Sequence, residues 1–133
     1  MLFHHICVQT PCYEQSLKFY TEILGFEVLK EAKGFHEREY NTWLKNTTII
    51  IELQTEKPGE EFIPWSKHNA GIVHMAFATR DVKKKYNEIK SKGHNKFKLK
   101  NGEELYKVEN RFLCKVKAPE GTEIEFRDFE EII

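Results

Sequence analysis

The sequence predicts an α+β fold built from two βαβββ modules that together form a cup-like mixed sheet. The first observation is that the pattern of one strand, one helix and three strands occurs twice along the chain. The second is that a helix-ending glycine follows a strand histidine at nearly the same distance in both halves. Gly25 stands 20 residues after His5, and Gly93 stands 19 residues after His74. The third is that each half closes on a strand with a glutamate between two apolar residues, Ile51-Glu52-Leu53 in one half and Ile124-Glu125-Phe126 in the other.

The first module is expected to cover about residues 1–56. Its apolar residues recur at helical spacing before Gly25, which is a typical helix-ending residue. The segment TTIIIELQ is rich in β-branched residues and predicts a buried strand. The predicted elements are, in order, a strand at 3–9, a helix at 16–24 and strands at 26–30, 38–44 and 47–54.

The second module is expected to cover about residues 71–133, after a connector at 57–70 that mixes Pro, Gly and charged residues without a sustained period. Its final turn is predicted from the segment APEGT. The predicted elements are a strand at 71–79, a helix at 82–92 and strands at 95–100, 112–117 and 123–126. We therefore expect residues 1–133 to form a single domain of two modules.

Composition excludes several classes of protein. Lys plus Arg and Asp plus Glu both total 21, whereas nucleic-acid binders usually carry a basic excess. No apolar run reaches the length of a membrane span, and no signal peptide is expected at the start of the chain. The three cysteines form no CxxC pair, so we expect reduced, buried thiols in a cytoplasmic protein.

Strand alternation separates the adjacent histidines His4 and His5. Successive side chains of a strand point to opposite faces, so His5 shares one face with Cys7 while His4 faces the other way. The face of His4 is the more apolar one and should pack against the helix. His5 is therefore expected to look into the concave side, and the same argument places His74 there in the second module.

Two glutamates follow the same rule. Glu52 and Glu125 lie opposite apolar neighbours in their strands, and a carboxylate in such a strand costs several kcal/mol unless it is paired or coordinated. Two imidazoles and two carboxylates at matching repeat positions would converge if the two sheets close into one cup. This mixed nitrogen and oxygen set suits Ni, Co, Zn, Mn or Fe(II).

Several segments resemble the vicinal oxygen chelate superfamily, which contains glyoxalases, bleomycin-resistance proteins and extradiol dioxygenases. These segments are HICV at 5–8, SLKFYTEILGF at 16–26, HMAF at 74–77 and APEGTEIEF at 118–126. The resemblance spans most of the chain and is greatest to glyoxalase I, the lactoylglutathione lyases. It implies a small-molecule substrate and a homodimer, with no nucleic-acid or membrane partner.

Matched residue by residue, the resemblance implies one divalent metal ion bound by His5, Glu52, His74 and Glu125. A complete His/Glu/His/Glu set is typical of the glyoxalase branch. The implied reaction is that of a lyase or isomerase, in which the metal binds adjacent oxygens of a hemithioacetal and stabilises an enediolate. Glu125 would move the proton between neighbouring carbons, with Glu52 as its counterpart.

Two positions depart from the glutathione-binding pattern of that branch. Gln9 stands where an Arg helps to hold glutathione, and Glu56 stands where an Asn does similar work. Loss of an Arg removes a bidentate carboxylate contact, and a new Glu repels carboxylates. We therefore expect another thiol adduct, or a related α-hydroxycarbonyl, as the substrate. Trp43 and His68 complete the candidate substrate-binding residues.

Two alternatives remain open within the same fold. One is a thiol transferase of the fosfomycin-resistance kind, using a metal at His5, His74 and Glu125. The other is a non-catalytic protein that binds an antibiotic or another small molecule in an aromatic cleft. Measurements of metal content and of turnover with a panel of thiols would distinguish these three hypotheses.

Overall fold

The computed structural model describes residues 1–128 and contains two copies of the βαβββ module, which confirms the predicted fold class. Backbone contacts divide the chain into two compact units, one comprising Met1–Pro64 and the other beginning at Trp65. Each unit contains one four-stranded mixed sheet with one α-helix, and the first unit adds a short 3-10 helix at Phe35–Glu37. No helix among residues 1–128 is both long and apolar enough to cross a membrane.

The first unit runs strand, helix, strand, strand, strand. Its elements are β1 (Ile6–Gln9), α1 (Tyr13–Lys18), β2 (Glu27–Lys33), β3 (Tyr40–Lys45) and β4 (Ile50–Gln54). The last turn of α1 continues as a π-helical segment at Phe19–Ile23, and the chain then leaves the helix at Gly25, whose φ is +79°. The strand order is β1-β4-β3-β2, with β1 parallel to β4.

The core of the first unit lies between the helix and one face of this sheet. The helical side chains that are buried recur at a spacing of three to four residues, as an amphipathic helix requires. They pack with alternate residues of the strands, so the opposite sheet face is left for polar side chains. The buried apolar residues are Val8, Tyr13, Phe19, Tyr20, Phe26, Leu44, Ile51 and Leu53.

The second unit repeats this arrangement. Its elements are β5 (His74–Thr79), α2 (Val82–Ser91), β6 (Tyr106–Val108), β7 (Arg111–Lys117) and β8 (Glu123–Asp128). The strand order is β5-β8-β7-β6, with β5 parallel to β8. Asp81 caps α2 by accepting a hydrogen bond from the Lys84 backbone N–H, and Gly93 follows the helix with φ +89°.

The predicted strand at 95–100 is only partly formed. Phe97 bridges to Val116 of β7, and the Lys98 backbone N–H donates to the Lys115 carbonyl at 2.8 Å. The segment then leaves the sheet, and the same edge of β7 is occupied further along by β6. The sequence did not predict β6, because a strand of three residues is too short to show an alternating pattern.

Candidate functional site

In the first unit His5 and Glu52 form one imidazole–carboxylate pair. His5 immediately precedes β1, and Glu52 lies on β4 in register with Cys7 and Trp43 on its two sides. The His5 Nε2 lies 3.1 Å from the Glu52 Oε2. Asn41 is buried and donates from Nδ2 to the Glu52 Oε1 at 2.8 Å. The carboxylate is thus held by a ring nitrogen and an amide.

His4 does not pack against the helix, and that prediction is wrong. His4 is exposed, and its Nδ1 lies 2.8 Å from the Nδ1 of His5. Both rings meet the ring of Trp43 edge-on, with centroid distances of 6.1 Å for His4 and 4.8 Å for His5. The alternation argument fails here because β1 begins only at Ile6, so residues 4 and 5 precede the strand and are not bound by its period.

In the second unit His74 and Glu125 form the corresponding pair. His74 begins β5, and Glu125 lies on β8 opposite Ala76 and Lys115. The His74 Nε2 lies 3.5 Å from the Glu125 Oε2. The other ring nitrogen, Nδ1, is buried and has no hydrogen-bond partner within residues 1–128. The described polar contact of this ring is therefore made through Nε2 toward the carboxylate.

Glu125 differs from Glu52 in having two further cationic neighbours. The Nζ of Lys115 lies 3.4 Å from Oε2, and the Nη1 of Arg127 donates to Oε1 at 3.0 Å. The sequence reasoning missed both residues. Alternation along β8 places Arg127 on the same face as Glu125, whereas Lys115 can be placed beside it only once the register of β7 with β8 is known.

The spacing within each pair fits two ligands of one metal ion. Donors bound at about 2.1 Å to one ion are roughly 3.0 Å apart in octahedral and roughly 3.4 Å apart in tetrahedral geometry. The pairs measure 3.1 Å for His5 with Glu52 and 3.5 Å for His74 with Glu125. Across residues 1–128, however, no three or more His, Cys, Asp or Glu side chains group together in a way that could hold a metal ion. The four-ligand set stays a prediction.

The other predicted site residues are Gln9, Trp43, Glu56 and His68. Gln9 is exposed on β1, where its Oε1 accepts a hydrogen bond from Gln54 at 3.4 Å. Trp43 is half-buried, and its ring lies beside that of His5. Glu56 and His68 are both exposed and lie outside the helices and strands.

The cysteines were expected to be buried, and this is wrong for Cys7. Cys7 is exposed, Cys12 is half-buried and Cys114 is buried, and all three are free thiols. Desolvation, and then the charge of Glu52, raise the pKa of Cys7. Burial, and then the charge of Glu125, raise the pKa of Cys114 to about 12. Neither thiol is therefore favoured as a thiolate nucleophile at neutral pH.

Known proteins resemble the chain in sequence over about two thirds of its length. It is 32% identical over 93 residues to the uncharacterized protein YwkD of Bacillus subtilis. This match covers 68% of this chain and 70% of YwkD. It is 24% identical over 97 residues to the lactoylglutathione lyase GLX1 of Arabidopsis thaliana, covering 70% of this chain. The match spans only 33% of the length of that plant lyase.

Solved structures and a family model cover nearly the whole chain. The crystal structure of SMU.1112c matches with a TM-score of 0.74 at 25% identity, covering 96% of this chain and 98% of that one. The trypanothione-dependent glyoxalase I of Leishmania major also gives 0.74, at 21% identity, covering 99% and 89% of the two chains. The family model matches residues 2–126. The chain belongs to the Glyoxalase/Bleomycin resistance protein/Dioxygenase superfamily.

Proposed function

We propose that this chain is a divalent-metal-dependent lyase or isomerase of the glyoxalase type, acting in the cytoplasm as a homodimer of single-domain subunits. Its substrate would be a small thiol hemithioacetal or a related α-hydroxycarbonyl. The observation that carries the proposal is the recurrence of one imidazole–carboxylate pair, at metal-ligand spacing, in both modules. The sequence similarity to a plant lactoylglutathione lyase supports the same reaction class.

His5, Glu52, His74 and Glu125 would hold the metal, which when bound would supply Lewis-acid polarisation of adjacent substrate oxygens. Glu125 would act as the base that removes a proton from one carbon and returns it to the next, with Glu52 as its counterpart. The hydrogen bond from Arg127 holds the Oε1 of Glu125 in place, while Oε2 faces both His74 and Lys115. A base fixed in this way is oriented before substrate arrives.

The thiol of the substrate is proposed to differ from glutathione. Gln9 and Glu56 supply no cation at the two positions where glutathione is held in the glyoxalase I branch. Gln9 is instead engaged with Gln54 across the β1–β4 pair, and the exposed carboxylate of Glu56 would repel an anionic peptide. A smaller or less acidic thiol suits these residues better.

Metal content provides the first test. We expect protein purified without added metal to carry close to one equivalent of Ni, Co, Zn, Mn or Fe per subunit. The His5→Ala and His74→Ala variants should each lose most of it, while His68→Ala, which removes an exposed histidine, should retain it. Elemental analysis of the folded variants measures this, and wild-type protein without a tightly bound divalent ion would refute the metal-dependent reaction.

Turnover provides the second part of the test. Methylglyoxal with a panel of thiols should give product with at least one thiol other than glutathione. The loss of the hemithioacetal absorbance measures this turnover. Glu125→Gln should lower the rate by about 10²–10⁴-fold if this carboxylate carries the proton. Turnover with glutathione at ordinary rates would contradict the interpretation of Gln9 and Glu56.

A second candidate function is a metal-free protein that binds a small molecule. It is favoured by the contacts of Glu125, because Lys115 and Arg127 together compensate this buried carboxylate without a metal ion. Under this function the metal analysis would find no bound ion and no thiol would support turnover. The same two measurements therefore separate the two functions.

A further inference from the structure

A cavity of about 330 Å³ lies on the second unit, on the sheet face that carries Glu125. Strands β6, β7 and β8 form its floor, and the segment at 98–100 forms one side. Its size is at the lower end of the range for small-molecule sites, which is roughly 300–1,000 Å³. The cavity lies within one unit, so its composition follows from that unit alone.

The cavity is lined by four cationic side chains and one carboxylate. The cations are Lys98, Lys100, Lys115 and Arg127, and the carboxylate is Glu125. Glu125 contacts Lys115 and Arg127, while Lys98 lies 3.4 Å from the buried Glu123. Even with both carboxylates counted, positive charge is in excess here, although the whole chain is neutral.

Donor capacity remains after these ion pairs. A lysine ammonium has three N–H donors, and each of the ion pairs described for Lys98 and Lys115 is to a single carboxylate. Lys100 lies over the ring of Tyr106, with its Nζ 5.4 Å from the centroid, which places a third ammonium at the wall of the cavity. The cations are thus gathered around a space rather than spread along a strand.

The two positions beside the glutamate do not need to be basic for the module to form, because both are neutral in the first unit. Trp43 holds the position on β3 that Lys115 holds on β7, since each is the antiparallel partner of its unit's glutamate. Gln54 stands two residues after Glu52, as Arg127 stands two residues after Glu125. The equivalent positions are neutral in one unit and basic in the other, so folding alone does not explain the basic residues.

We propose that this cavity is a subsite for an anionic oxygen group, a carboxylate or a phosphate, on a small ligand. Arg127 offers a planar fork of donors and the three lysines offer point charges, a combination that suits an oxyanion. Because Glu125 lines the same cavity, the anionic group would lie next to the proposed base. The binding does not depend on the proposed lyase reaction, but the assignment of this group to the substrate rests on it.

Calorimetric titration of the full chain as purified tests the subsite, with inorganic phosphate and succinate as separate probes at constant ionic strength. We expect saturable binding of at least one probe, and the probe that binds identifies the anion class. Lys115→Gln and Lys100→Gln should each weaken it by about tenfold. Lys107→Gln is the matched control, since it removes the same charge from an exposed position adjacent to Tyr106 on β6 and should change the affinity less than about twofold.

Two results would overturn the inference: no saturable binding of either probe, or equal weakening by Lys100→Gln and Lys107→Gln. Lys100→Gln keeps the test decisive if Lys115→Gln folds poorly, because Lys100 is exposed, its side chain contacts an aromatic ring, and its hydrogen bonds with Glu103 are made by the backbone. Thiol turnover tests the lyase proposal separately from the probe titration. Probe binding without thiol turnover would retain the subsite, and thiol turnover without probe binding would reject it.

Discussion

Glu52 and Glu125 occupy the same position in their modules, and each contacts a histidine, yet their other neighbours differ. The side chain of Glu52 is 16% exposed and is held by a histidine and a buried amide. That of Glu125 is 4% exposed and is held by a histidine, a lysine and an arginine. The fold fixes where the carboxylate lies, and the neighbouring strand residues decide which charges meet it.

The two carboxylates also differ in the charge of the groups that contact them. The Oε1 of Glu52 accepts from the neutral amide of Asn41, and its Oε2 lies 3.1 Å from the His5 ring. Glu125 lies between Lys115 and Arg127, so its charge is already compensated. The two carboxylates therefore differ in how far their negative charge is compensated by the described residues.

Neutralising the two carboxylates should reveal the largest difference between the units. Glu125→Gln leaves Lys115 and Arg127 next to each other without a counter-charge, and we expect the free energy of unfolding to fall by about 2–3 kcal/mol. Glu52→Gln keeps an oxygen that can accept from Asn41 and loses only a partly exposed contact with His5. Its cost should be below about 1 kcal/mol.

Urea unfolding in the presence of a chelator measures both variants, since a chelator removes any stabilisation by bound metal. Equal costs for the two substitutions would show that the cations around Glu125 do not matter to stability. The conclusion that the units differ in electrostatics would then be wrong.

The two helix-ending glycines should behave alike, which tests the symmetric part of the comparison. Gly25 and Gly93 have φ values of +79° and +89°, and a Cβ at either position would meet no atom within 4 Å. Alanine therefore suffers only the backbone penalty of the left-handed conformation, about 1–2 kcal/mol. Gly25→Ala and Gly93→Ala should lower thermal stability by similar amounts. A cost confined to one of them would indicate that the helices end differently in the two units.

Cysteine ionisation should distinguish the units at alkaline pH. The pKa of Cys114 is raised from 9.0 to about 12, so the folded protein keeps a proton that the unfolded chain loses. This stabilisation is present below pH 9 and is lost as pH rises toward 12, at no more than about 1.4 kcal/mol per pH unit. Cys114→Ala should flatten the decline of stability between pH 9 and 10.5, measured by urea unfolding. Cys7→Ala should flatten it less, because Cys7 is exposed.

Much of the fold followed from local signals in the sequence. Gly25 and Gly93 mark the ends of the helical segments because their conformation is accessible to few other residues. The buried strand at Ile50–Gln54 was evident from its β-branched residues. The four residues of the two imidazole–carboxylate pairs were singled out by their matching repeat positions, and their grouping around one metal ion stays a prediction.

The remaining features depend on tertiary contacts that alternation does not encode. His4 was misplaced because the period of a strand has no meaning before the strand begins at Ile6. The surroundings of Glu125 come from β7, whose pairing with β8 had to be known before Lys115 could be placed opposite it. The register of a sheet, more than the identity of its strands, is what the sequence left open.

In each unit the first strand pairs with the last strand, and this pairing limits the order in which the sheet can form during synthesis. In each unit the final strand lies between the first and the third, so a sheet cannot assemble in the order in which its strands leave the ribosome. The first unit has its closing strand by Gln54 and can complete its sheet while later residues are still being added. In the second unit β5 has no neighbouring strand until β8 exists. A chain cut short before Glu123 would therefore lose the strand that joins β5 to β7, leaving two fragments of a sheet rather than a sheet with a missing edge.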